Sequence, residues 1–119
     1  MVDESVVTSV RRYLRTLARF GMVVRAGIVF GSQVHGNVNA WSDVDLLVIS
    51  PRFDGPVSRR DVDLLWRVAA QVDSRIEPVP CGEQQWMEDD WSTLVEVARR
   101  EGHTITVHDD PPASPATTP

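Results

Sequence analysis

Residues 46–49 read Leu-Leu-Val-Ile, an apolar run without alternation inside the segment Asp43–Ser50 (DVDLLVIS). A strand with one wet face alternates apolar and polar residues, whereas a strand covered on both faces does not need to. This segment therefore reads as a doubly covered strand, and the rest of the chain must supply the cover.

The flanking segments suit that task. Residues 3–20 carry Val6, Val10, Leu14 and Leu17 at helical spacing, with Arg11, Arg15 and Arg19 on another side, which predicts an amphipathic helix stopped at Gly21. Val24–Phe30 is short, apolar and β-branched, and predicts a first strand. Gly31–Ser42 reads as a polar loop with a short helical turn, and Pro51–Val57 as a second loop. Ser58-Arg59-Arg60-Asp61 resembles a capping box, with Asp at the acidic position. It opens a helix whose apolar stripe is Val62, Leu65, Val68, Ala69 and Val72, with Trp66 placed in or partly in the core. Residues 75–80 (RIEPVP) predict a short third strand, whose two prolines suggest an edge or an early end. No element is assigned to 83–91, where Trp86 and Trp91 are expected to pack inward. Thr93–Arg100 predicts a helix capped by Ser92 or Asp90 and ended by Gly102. Residues 103–108 alternate and predict a last strand. The division expected is one folded domain over 1–108 and a disordered, proline-rich tail over 109–119.

Composition narrows the function. The chain has 119 residues, room for one small domain. No apolar run approaches the roughly 18 residues of a membrane span. The N-terminus lacks signal-peptide character. Cys81 is the single cysteine, so no internal disulfide can form, and a cytoplasmic location is expected. A net charge of -5 disfavours a nucleic-acid partner. All 12 basic residues are arginine, which excludes a lysine nucleophile and a P-loop lysine.

Chemistry concentrates around the central strand. The first strand ends in Gly31-Ser32; ten residues later comes Asp43-Val44-Asp45; Glu77 lies in the third strand. In a strand, residues i and i+2 point to the same face, so Asp43 and Asp45 can converge. Two carboxylates brought together repel, and a divalent cation relieves that repulsion. Magnesium takes oxygen ligands and keeps phosphates in its shell. Gly31 permits close backbone approach. Ser32 can offer its hydroxyl and amide to a phosphate, and Gly36 would keep the turn open. Alone, Gly-Ser and Asp-x-Asp are common; together at this spacing their chance occurrence is about one in a thousand at ordinary residue frequencies.

The phrase GSQVHGNVNAWSDVDLLVIS resembles the signature of the DNA polymerase beta-like nucleotidyltransferase superfamily, and the small size resembles its minimal nucleotidyltransferase (MNT) branch. The resemblance covers residues of about 25–80. It implies an α/β (α+β) fold, a small mixed β-sheet flanked by helices. It implies magnesium-dependent transfer of a nucleoside monophosphate, AMP from ATP, to a hydroxyl, with release of pyrophosphate. Asp43, Asp45 and Glu77 would be catalytic and hold Mg2+; Gly31, Ser32 and Gly36 would bind the nucleotide. Relatives of this size act as antitoxins paired with a HEPN-type toxin, some of them by AMPylation of it, so such a toxin is the expected partner. Two other readings stand beside this one: a non-catalytic toxin-binding antitoxin module, and a small-molecule nucleotidyltransferase of the aminoglycoside type. The chain departs from many relatives at His35, where they carry arginine, and at Glu77, where they carry aspartate.

Overall fold

In the computed structural model, residues 2–35, 42–88 and 93–107 are described, and the elements run helix α1 (Glu4–Arg19), strand β1 (Ala26–Phe30), helix α2 (Ser32–His35), strand β2 (Val44–Ser50), helix α3 (Arg59–Val72), strand β3 (Ile76–Gly82), helix α4 (Glu83–Glu88), helix α5 (Thr93–Glu101) and strand β4 (His103–Ile105). A single 3-10 turn, Pro51–Phe53, follows β2.

Local chemistry accounts for the helices. Asp3 caps α1 by accepting from the Ser5 amide at 2.9 Å. The expected stripe Val6, Val10, Leu14 and Leu17 is buried, and Tyr13 joins it. Gly21 ends the helix with a positive φ of +89°. Ser58 caps α3 by accepting from the Asp61 amide at 3.1 Å.

The sheet order is β3-β2-β1-β4. β1 runs antiparallel to both β2 and β4, while β2 and β3 are parallel. A parallel pair needs a crossover, and α3 supplies it. The expected mixed sheet flanked by helices is therefore present. Its two faces carry separate cores. Val29, Val44, Leu46, Val48 and Ile76 pack with α1 and α3, where the buried Tyr13 hydroxyl donates to Leu65 O at 2.9 Å. Ile28, Leu47, Ile49 and Cys81 pack with Val95 and Ala98 of α5 and with the half-buried Trp86. Consecutive residues of β2 thus fall into opposite cores, which is why 46–49 shows no alternation. Pro78 and Pro80 have no N–H to donate, and their strand pairs on one side only.

Several boundaries move. β1 begins at Ala26 rather than Val24, although Arg25 N still donates to Ile49 O at 2.8 Å. β3 continues to Gly82 because β2 offers a partner as far as Ser50. Residues 83–88, left unassigned from sequence, form α4, and Asp54 accepts from the Gln84 amide in its first turn at 3.0 Å. Trp66 is corrected outward: it is 49% exposed, because the buried line of α3 runs through Leu65, Val68 and Ala69 and position 66 lies about 100° away. Trp91, Ser92, Asp90 and the 109–119 tail lie outside the described residues.

Candidate active site

Three acids meet at one end of the sheet. Asp45 is the second residue of β2 and Glu77 the second of β3, and the parallel ladder sets them side by side. Across the antiparallel ladder Asp45 faces Phe30, the last residue of β1. The two-residue period puts Asp45 and Glu77 on the α5 face with Leu47 and Val79. Asp43 stands one residue before β2 and is exposed. It is therefore not a strand residue, as the sequence suggested, but belongs to the segment that leads in.

The acids influence one another. Glu77 has its pKa raised, first by a hydrogen bond with Asp43, then by burial and by the charges of Asp43 and Asp45. Asp45 is raised by burial and then by the charge of Asp43. Asp45 and Glu77 thus hold negative charge at a cost.

Gly31 follows β1 with φ +75°, a conformation that L-residues rarely adopt. A Cβ there would stand 2.5 Å from Asp45 Oδ2. Both the backbone angle and the space select glycine. Gly31 O then accepts from the Val34 amide at 3.1 Å, so the Gly-Ser step opens α2 directly beside the acids. Ser32 is the first residue of that helix. Gly36 and Trp41 lie outside the described residues.

One contributor escaped the sequence reading. Gln33 is 2% exposed, and its Nε2 donates to Ser42 O at 3.3 Å and Asp43 O at 3.1 Å. A glutamine in a polar glycine-containing loop gives no periodic signal, and only the partners reveal it.

The site has the donors a magnesium ion prefers, all carboxylate oxygens, in a cluster whose mutual repulsion a cation would relieve. Among the described residues, no group of three His, Cys, Asp or Glu side chains is placed so that it could hold a metal ion. Magnesium does not require one: it is commonly held by one or two carboxylates plus substrate phosphates. Gly31 fits that arrangement in one respect: having no side chain, it lets the Asp45 carboxylate lie against the Gly-Ser step.

The sequence profile of the nucleotidyltransferase domain family matches residues 8–81. The chain belongs to this family. The matched nucleotidyltransferase region contains α1 from Thr8 onward, the Gly-Ser step, all three acids and the whole of β2, within the polymerase beta-like superfamily anticipated above. Its fold is similar to that of a Sulfolobus solfataricus protein whose crystal structure carries a provisional nucleotidyltransferase assignment, with a TM-score of 0.51, 16% identity, and coverage of 82% of this chain and 77% of that one. No curated protein matches the nucleotidyltransferase chain in sequence.

Proposed function

We propose that this nucleotidyltransferase domain moves a nucleoside monophosphate, AMP from ATP, to a hydroxyl acceptor with magnesium at Asp43, Asp45 and Glu77. The parallel register that sets Asp45 beside Glu77, with Gly31 against the Asp45 carboxylate and Asp43 two residues upstream, is the observation that carries this reading. In the reaction the acceptor hydroxyl attacks the α-phosphorus. A new oxygen–phosphorus bond forms there, the bond to the bridging oxygen of the β-phosphate breaks, and pyrophosphate leaves with that electron pair. The hydroxyl proton passes to a carboxylate of the cluster, and Glu77 is the residue assigned that role. Magnesium, when bound, neutralises the triphosphate and activates the attacking hydroxyl. Gly31, Ser32 and Gly36 bind the nucleotide, with the backbone at the Gly-Ser step turned toward the acids.

The acceptor is a protein of the HEPN toxin type, and the chain acts as its MNT antitoxin in the cytoplasm. Resemblance to the minimal branch supports this part. The test uses purified protein, magnesium and α-labelled ATP in host extract, beside an Asp43→Ala/Asp45→Ala variant. Label on one protein band, absent with the variant, is the expected result. Equal label with both preparations removes the acids from the reaction. Label on a small molecule alone replaces the toxin with the small-molecule reading.

A further inference from the structure

Asp45 and Glu77 are held by the sheet: each lies within a ladder that fixes its backbone. Asp43 precedes β2 and lacks that support. Its backbone is fixed by another route. The peptide plane between Ser42 and Asp43 is anchored at Ser42 O, and the plane between Asp43 and Val44 is anchored at Asp43 O, both by Nε2 of Gln33 at 3.3 and 3.1 Å. The second plane is also held from its other side, where Val44 N donates to Arg75 O at 2.8 Å. Anchoring both planes that flank a Cα sets φ and ψ there, and with them the direction of the Cα–Cβ bond. We infer that Gln33 is a positioning residue that aims the Asp43 carboxylate at the metal site.

The side chain suits no lesser task. An amide at 2% exposure is costly to bury unless it is bonded, and both donors of its NH2 group have a carbonyl acceptor. Gln33 lies one residue beyond Ser32 in α2, so the same four-residue helix carries the Gly-Ser step and the anchor of the first acid. The nucleotide end and the metal end of the site are thereby tied through one side chain. The inference rests on Asp43 as a metal ligand, as proposed above.

The test compares the full wild-type chain with Gln33→Leu and Gln33→Met, which keep the approximate size and remove the donor. Tyr13→Phe serves as control, because it also removes a buried side-chain bond to a carbonyl, on the other face of the sheet. Mn2+ titration by calorimetry reads the metal site, and amide hydrogen exchange at Val44 reads the backbone. Both Gln33 variants should bind Mn2+ at least about tenfold more weakly, the usual scale for losing a residue that orients a metal ligand. Their Val44 amides should exchange at least about tenfold faster, while Tyr13→Phe matches wild type in both. If either folded Gln33 variant keeps wild-type Val44 exchange, Gln33 does not hold this backbone. If exchange quickens but Mn2+ affinity is unchanged, the aim of Asp43 does not depend on it. Failure of wild type itself to bind Mn2+ would overturn the metal reading, and the exchange rates would still decide whether Gln33 anchors Asp43.

Discussion

Replacing Gly31 with alanine should separate stability from catalysis. Among the described residues, three glycines have positive φ: Gly21 at +89°, Gly31 at +75° and Gly55 at +79°. Alanine in that region costs about 1–2 kcal/mol at each. A Cβ at Gly21 or Gly55 meets nothing within 4 Å, so the backbone cost stands alone there. At Gly31 the new Cβ would lie 2.5 Å from Asp45 Oδ2, against the 3.4 Å at which ordinary contact begins, so the carboxylate must move by about 0.9 Å. It is the free end of a short side chain and can turn, at a further cost of about 1 kcal/mol for leaving its rotamer. Gly55→Ala should therefore lose about 1.5 kcal/mol and Gly31→Ala about 2.5 kcal/mol, or falls of about 6 and 10 °C in Tm for a domain of this size. Activity should diverge far more. Magnesium ligands stand near 2 Å with strict octahedral directions, and a misplacement of about 1 Å can cost about 100-fold in rate. Thermal melts read the first quantity and magnesium-dependent nucleotidyl transfer, measured well below both Tm values, reads the second. Gly31→Ala retaining activity within a few-fold of Gly55→Ala would refute the argument, since the displaced carboxylate would then not matter.

Three further outcomes follow from described contacts. Asp45 and Glu77 both have raised pKa values, so the folded state holds protons that the unfolded state releases; metal-free stability should fall as pH rises from the ordinary 3.8 and 4.5 through the raised values. Thermal melts in chelator should show wild type losing stability as pH rises above the ordinary carboxylate values and Asp45→Asn losing less, while destabilisation by Asp45→Asn at neutral pH would contradict the repulsion. Asp73 behaves oppositely: its bond to the Arg75 guanidinium, with Nη2 at 2.7 Å and Nε at 3.0 Å, holds its pKa at about 2, against an ordinary 3.8. Its contribution is present above pH 3.8 and lost as pH falls through about 2, so Asp73→Asn should cost about 1 kcal/mol in neutral urea melts after allowance for solvent screening, and almost nothing near pH 2. A Cβ at Gly102 would collide with Ala98 O and Ile28 Cγ2, so Gly102→Ala should cost about 1–3 kcal/mol of overpacking, read by denaturant titration.

Much of this arrangement was legible in the residues, for definable reasons. The apolar run at 46–49 announced two covered faces, and the structure divides its residues alternately between two cores. Ser58 and Asp61 announced the start of α3, because a cap is a local bond between near neighbours. Glu77 was placed beside the Asp pair through its strand, which the parallel register then sets next to Asp45. What escaped depends on contacts distant in sequence or on exact angles. Gln33 reaches residues nine and ten positions away. α4 takes part of its first-turn support from Asp54, thirty residues before Gln84. Trp66 differs from its buried neighbour Leu65 by one helical step, which a hydrophobicity pattern blurs when the residue is large and apolar.

The prolines of β3 have a consequence beyond their own strand. A sheet is finished only when its borders refuse further strands, since an exposed row of amides and carbonyls recruits any extended chain. One border here is β3, where Pro78 and Pro80 remove two donors within seven residues. The other is β4, only three residues long. One border therefore lacks donors and the other lacks length, so this four-stranded sheet resists growth from either side. Asp45 and Glu77 sit on the strand pair beside the proline border, where an invading strand would otherwise lie next to the site.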